Sequence, residues 1–384
     1  MDFLSAGTVT APGVYLTNRA FGCSEAKHGM ILRRKFSIFV LLAAVNLILI
    51  GVAIAAIEFA FGDWHAAYMP PLGAVVDRTY VYHQALYEPA GDVVYSRDKY
   101  GLRGVHEPLS QVQLVTVGGS TTDQRYIGDA QTWQEVLRSQ TGITVANAGS
   151  DGMTSSGHIV AVSEWLHELP GFSPKYYLHY LGANDASLSA SDAAYDRSGH
   201  DSPWLSDVRK RSIIVKSFVK GWLAFSGPRE VNHGQVRLGP GATQMINASA
   251  DKNEIENFIQ NTYAPNLRKL IALHRKRNES VIFVSQQANP ALVRWNGNDT
   301  FVSAQFPDIQ QWAVALRLIN RATQSVCGEA ADICHFSDAG TKLVLEPADF
   351  YDLVHQTPSG TRKLGEFLAK DLTFLHPGGA PAPG

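Results

Sequence analysis

Val112-Gln113-Leu114-Val115-Thr116-Val117-Gly118-Gly119-Ser120-Thr121-Thr122 decides the fold. Val112 to Val117 is an apolar run of strand length, and the Gly-Gly pair ends it in a tight turn that delivers a serine. Further along, the same rhythm returns. Strands are expected at Ile143 to Ala146, Tyr176 to Leu181 and Val281 to Ser285. Between them lie helical patterns. Ala130 to Gln140 carries Trp133, Val136 and Leu137 at helical spacing with Gly142 as a stop, and Gly157 to Leu169 follows with a broad apolar face. Ile255 to Arg277 should be broken or kinked at Pro265, and Asp308 to Ser325 and Pro358 to Leu375 complete the set. Strands alternating with helices predict βαβ units, a parallel sheet and an α/β fold. No internal repeat is visible.

In an open parallel sheet, ligands bind beyond the carboxyl ends of the strands. Ser120 leaves the first strand, Gly149 and Gly152 leave the second, and Asn184 of Gly182-Ala183-Asn184-Asp185 leaves the third. Three strand exits therefore converge on one crevice.

Their residue types suit acyl-ester chemistry. A serine hydroxyl is a weak nucleophile at neutral pH and needs a nearby base held in the right tautomer. In Asp352-Leu353-Val354-His355, which opens the last helical pattern, the carboxylate can accept the imidazole Nδ1 proton and leave Nε2 to take the proton of Ser120. A tetrahedral oxyanion needs preorganised donors. The backbone N–H groups of Ser120 and Gly152 and the side-chain amide of Asn184 form a suitable set. Each residue also has a plainer reading. Ser120-Thr121-Thr122 suits a helix N-cap, Asn184-Asp185 suits a turn bonded to its own backbone, and Asp352 with His355 suits a capping pair. Their joint occurrence favours catalysis. A second Asp-x-x-His, Asp332 to His335, has no amphipathic helix directly after it to hold the base, so Asp352 and His355 are preferred.

These blocks resemble the SGNH hydrolases, the GDSL-type esterases and lipases. The resemblance rests on Gly118-Gly119-Ser120-Thr121, Asn147-Ala148-Gly149-Ser150-Asp151-Gly152-Met153-Thr154, Gly182-Ala183-Asn184-Asp185, and Asp352-Leu353-Val354-His355 followed by Pro358-Ser359-Gly360. It covers approximately Val112 to Leu375. It implies a flavodoxin-like three-layer α/β/α fold, Ser120 as nucleophile, Gly152 and Asn184 as oxyanion donors, and Asp352 and His355 as the rest of a triad. Many members have Gly-Asp-Ser at the nucleophile; here Gly119 replaces the aspartate, so its supporting role does not carry over. Membrane-anchored bacterial relatives with a Gly-Gly-Ser-Thr-Thr turn are similar, and that version is associated with cell-surface glycan modification.

Outside this region, Phe36 to Ile57 holds no charged residue and is long enough to span a hydrocarbon core of about 30 Å. Lys27, Arg33, Arg34 and Lys35 precede it, whereas Glu58 and Asp63 follow, so a bacterial inner-membrane anchor with a cytoplasmic N-terminus and a periplasmic or extracellular domain is expected. A cleaved signal peptide is the alternative, but the run exceeds the usual apolar region of roughly 7–15 residues. The expected segments are a cytoplasmic piece 1–35, an anchor 36–60, a connector 61–110 and a hydrolase domain 111–376. That domain has an insertion at about 186–254, and a flexible tail 377–384 follows it. Within the insertion, Val208 to Leu223 is basic and amphipathic, suited to a membrane surface, a lid or an ordinary solvated helix.

A formal net charge of −2 gives no reason to expect nucleic acid as a partner. Cys327 and Cys334 would face an oxidising compartment, where a disulfide and two buried thiols are both compatible with the spacing. No Cys and His spacing suggests a zinc site, and neither metal nor cofactor is expected. The expected activity is hydrolysis of O-acyl esters of a surface saccharide. The alternatives are an acyltransferase served by a membrane-bound acyl donor, a lipase or lysophospholipase, and a catalytically silent glycan-binding scaffold. The intact Ser, Asn, Asp and His set argues against the last, because binding needs no activated nucleophile.

Overall fold

The computed structural model describes residues 22–66, 75–104, 106–188, 208, 211–226, 245–248 and 251–376. The tail 377–384, residues 1–21 and much of the insertion lie outside the described residues. Two compact units divide at Gly62. The first contains α1, Gly22–Phe61, of which Lys35–Phe61 is the one helix among the described residues long and apolar enough to cross a membrane. Its side chains, such as Phe36, Leu47 and Phe59, are exposed. The helix begins well before the apolar run because residues 22–35 contain no proline to stop it.

In the second unit, β1 (Arg78–Gln84) and β2 (Gly91–Arg97) form an antiparallel hairpin. The main sheet consists of β3 (Leu114–Gly118), β4 (Val145–Gly149), β5 (Tyr176–Tyr180), β7 (Ser280–Val284) and β10 (Cys334–Ser337). Its order is β10-β7-β5-β3-β4, and every pairing is parallel. A small antiparallel sheet joins β6 (Met245–Asn247), β9 (Asp299–Ser303) and β8 (Val293–Asn296).

The main sheet is buried on both faces, as parallel strands require, and side chains alternate between two cores. Val115, Val117, Tyr177, Val281 and Phe283 pack with α4 (Ser155–Glu164), α7 (Ala264–Arg275) and α8 (Gln310–Gly328). Leu114, Tyr176, Leu178, Ile282 and Val284 face α3 (Trp133–Thr141) and α10 (Pro358–Asp371). The result is the three-layer α/β/α architecture. In the insertion, α5 spans Ile213–Ser226. The long pattern before β7 opens as α6 (Lys252–Phe258), capped by Asp251, and breaks into a π-turn at Ile259–Tyr263. Pro265 then follows the π-turn closely, and this local widening of the helix accommodates its ring and missing N–H.

Two local readings change, and a third, left open between a disulfide and two thiols, is resolved. Asp352 and His355 lie in a loop before α10 rather than on its first turn. Pro358 occupies the helix start, and the residue before a proline is driven extended, as Thr357 is at ψ 171°. The strand β10 was not anticipated; it has four residues and its His335 and Ser337 interrupt any apolar run. Cys327 and Cys334 are joined in a disulfide, Cα atoms 5.3 Å apart, across the link between α8 and β10.

Candidate active site

The serine reaches the crevice because the strand stops abruptly. Gly118 is level with Gly149 on β4 and Tyr180 on β5, so three carboxyl ends finish together. Ser120 opens the short helix α2, Ser120–Asp123, where its N–H is one of the first-turn donors that have no intrahelical acceptor. Backbone is packed tightly here. A Cβ on Gly149 would run into Thr122 and Asp123, and Ser150 N–H donates to Gly118 O at 2.8 Å.

From the other side of the sheet comes the loop before α10. Tyr351 N–H donates to His355 O at 3.0 Å, closing the loop, and the side chain of Asn289 donates to Asp352 O. Asp352 Oδ1 accepts the backbone N–H groups of Val354 (2.9 Å) and His355 (2.7 Å). Its other oxygen lies 2.6 Å from His355 Nδ1, and His355 Nε2 lies 2.7 Å from Ser120 Oγ. Burial pushes the Asp352 carboxyl up, but these hydrogen bonds outweigh it and hold the group below its ordinary value. A carboxylate at Nδ1 fixes the proton there, which leaves the Nε2 lone pair facing the serine. The Tyr351 ring stacks on the imidazole, centroids 5.5 Å apart and planes 8° apart, so the base cannot swing away on that side.

Asn184 sits in the turn after β5. Its Nδ2 donates to Met153 O at 2.8 Å, which orients the amide and leaves its second N–H to point elsewhere. Gly119 lies directly against that amide; a Cβ there would collide with Asn184 Nδ2. Gly152, at φ 75°, precedes Met153 in the turn after β4. Asp185 accepts the N–H and hydroxyl of Ser155 at the start of α4, so the neighbour of Asn184 anchors the helix that follows the Gly152 turn.

Ser120, His355 and Asp352 are thus in one hydrogen-bonded line, with Gly119, Asn184 and Met153 beside the serine. The other Asp-x-x-His does not form a pair. Asp332 is bound to Arg275 at 2.6 Å, and His335 on β10 packs against Phe374.

Two supports escape a reading of the sequence. Gln286, buried at the exit of β7, donates to Thr121 Oγ1 at 2.9 Å and accepts from Ala183 N–H at 2.8 Å. It ties the serine turn to the asparagine turn. Its only signal was position, a polar residue at a fourth strand exit. The other support is Asp123, which takes the Arg97 guanidinium and, at 2.8 Å, the Tyr95 hydroxyl. Arg97 also donates to Gly149 O at 2.6 Å, so the β1–β2 hairpin clamps the turns after both β3 and β4. Among the described residues, His167, His274 and Glu279 could hold a metal ion, but they lie at the opposite, amino end of the sheet.

No protein-family model matches the chain, and no curated protein does. Among solved structures, an aryl esterase from M. smegmatis aligns at 14% identity over 69% of this chain and 99% of its own, TM-score 0.38. A carbohydrate acetylesterase from Sinorhizobium meliloti aligns at 11% identity over 69% of this chain and 99% of its own, TM-score 0.37. An acetyl-xylooligosaccharide esterase variant from Geobacillus aligns at 14% identity over 69% and 95%, TM-score 0.39. At these scores the likenesses carry no argument, and the chemistry rests on the contacts above.

Proposed function

We propose that the chain is a membrane-anchored serine ester hydrolase that removes O-acyl, chiefly acetyl, groups from extracytoplasmic saccharides. The observation that carries the reading is His355 bridging Ser120 Oγ and Asp352 Oδ2 at 2.7 and 2.6 Å. In this mechanism His355 Nε2 removes the hydroxyl proton as Ser120 Oγ attacks the ester carbonyl. The oxyanion is received by the N–H groups of Ser120 and Gly152 and by the free N–H of Asn184. The imidazolium, stabilised by Asp352, returns its proton to the departing sugar oxygen and leaves an acyl-serine. A water, deprotonated by the same His355, then releases the carboxylic acid and restores the serine. The apolar helix Lys35–Phe61 supports anchoring, and the basic residues before it support a cytoplasmic N-terminus.

The test is hydrolysis of p-nitrophenyl acetate and longer acyl esters by the full chain in detergent, beside Ser120→Ala and His355→Ala. Activity abolished in both variants supports the reading, and an acyl-length profile peaking at acetyl supports the substrate class. A folded wild-type protein that hydrolyses neither these esters nor acetylated glycans overturns it.

A further inference from the structure

Beyond the carboxyl ends of β7 and β10, on the far side of Gln286 from the serine, lies a cavity of about 420 Å³. Its walls come from β8, from the turn after β10 and from one face of α8, where Arg317, Arg321 and Gln324 recur at helical spacing. Three arginines line it, Arg294, Arg317 and Arg321, against a single carboxylate, Asp338. That carboxylate is already occupied: it accepts the hydroxyls of Ser285 and Thr341.

The arginines form no salt bridge among the described residues, although the Asp299 carboxylate acts on Arg317 from beyond contact distance. Arg317 is buried and bonds only to neutral acceptors, the carbonyls of Gly297 (2.5 Å) and Asn298 and the hydroxyl of Thr300. Burial, and then the neighbouring charge of Arg321, pull its pKa down. Arg321 reaches only the amide oxygen of Asn298, at 3.3 Å, and Arg294 is exposed on β8 without an acceptor among the described residues.

The excess of cationic donors calls for an anionic ligand. The space exceeds what a lone phosphate needs and falls in the range of about 300–1,000 Å³ that takes small organic ligands. We propose that this cavity is a second subsite that binds an acidic sugar residue, its anionic group held between Arg294 and Arg321. The subsite rests on the ester-hydrolase reading only in making that residue part of the acylated substrate. Gln286 connects the two places, since its backbone N–H and C=O bond the side chain of Asn320, another residue lining the cavity, at 3.2 and 2.7 Å.

The test is calorimetric titration of the full chain in detergent with unacetylated trigalacturonate, with the neutral galactose trisaccharide and with inorganic phosphate. Trigalacturonate is expected to bind, weakening with added salt, and both Arg294→Ala and Arg321→Ala should weaken it about tenfold or more, as for loss of a hydrogen bond to a charged group. Both arginines are exposed, so the variants should keep the wild-type thermal midpoint. Absence of trigalacturonate binding, binding unchanged in both variants, or equal binding of the neutral trisaccharide overturns the subsite. Phosphate bound as tightly as the uronate overturns the sugar assignment in favour of a free-anion site. Hydrolysis of p-nitrophenyl acetate in the same preparations separates the two readings. Hydrolysis without uronate binding sinks only the subsite, and uronate binding without hydrolysis sinks only the esterase.

Discussion

At Gly119 a single methyl group decides whether the Asn184 amide, the proposed oxyanion donor, fits. The Asn184 amide occupies the space a Cβ would need, so the residue before the serine must be glycine while Asn184 stays where Met153 O holds it. That gives a physical reason for glycine at this position, and Gln286 ties the serine turn to the asparagine turn. Asn184→Ala should lower kcat by about 10²–10³ with KM little changed, because the donor acts on charge that develops only in the transition state. Gly119→Ala should lower kcat in the same sense by displacing the amide. Steady-state kinetics on p-nitrophenyl acetate checks both; an unchanged kcat in Asn184→Ala would remove the amide from the oxyanion site. That Ser120, Asn184, Asp352 and His355 lie close together was legible, because each polar side chain sits at a turn or helix start in sequence. Gln286 was not, since a glutamine after a strand looks like any polar loop residue and its two partners lie 165 and 103 positions away.

Among the elements, the β1–β2 hairpin was the least legible and does the most for the site. Its segment reads as a Tyr-, Pro- and Gly-rich connector, because what organises it is ion pairs, Arg97 with Asp123 and Arg103 with Asp129, rather than an apolar stripe. Arg97 and Asp123 are both inside, and Arg97 also holds Gly149 O. Arg103 adds its own bonds to the carbonyls of Asp123 and Ile127. Removing one partner of a buried pair leaves the other charged and desolvated, so Arg97→Met should cost about 3–5 kcal/mol of stability. Thermal unfolding of the full chain in detergent measures the loss, and kcat should fall with it because Asp123 closes the helix that begins at Ser120. A midpoint within about 1 °C of wild type would show that the clamp contributes little. The strands of the main sheet were readable for the opposite reason: buried on both faces, they are continuous apolar runs. The exception is β10, a four-residue strand whose only neighbour among the described residues is β7, so it needs no long apolar run to pair.

Across the whole molecule, a layer of buried histidines beneath the sheet, apart from the candidate site, is expected to set how the protein responds to acid. His158, His179 and His274 form a buried chain under the sheet, with His158 Nδ1 2.9 Å from His179 Nδ1 and His179 Nε2 3.1 Å from His274 Nε2. The chain ends on Glu279, 2.8 Å from His274 Nδ1, which also faces His167 and Arg277. Burial forces all three histidines down, His158 to about 3 and the other two below their usual value, with the neighbouring histidines adding to the effect on His179. Each is neutral in the folded state but takes a proton near pH 6.5 once unfolded. Because the unfolded chain then binds more protons, their contribution is fully present above about pH 6.5 and drains away as pH falls toward the folded values. Glu279 adds a second, lower window. Burial raises its carboxyl, but the His167 and His274 bonds dominate and hold it at about 2, so its contribution fades only between about pH 4.5 and 2. The free energy of unfolding should therefore fall below pH 6.5 by up to about 1.4 kcal/mol per pH unit for each histidine that stays neutral. Urea unfolding of the full chain at pH 8, 7, 6 and 5 measures the slope, and His179→Phe, if it folds, should flatten it. Equal stability at pH 8 and pH 5 would mean that the chain is protonated or hydrated in the native state, and that the layer beneath the sheet is not the dry core its burial describes.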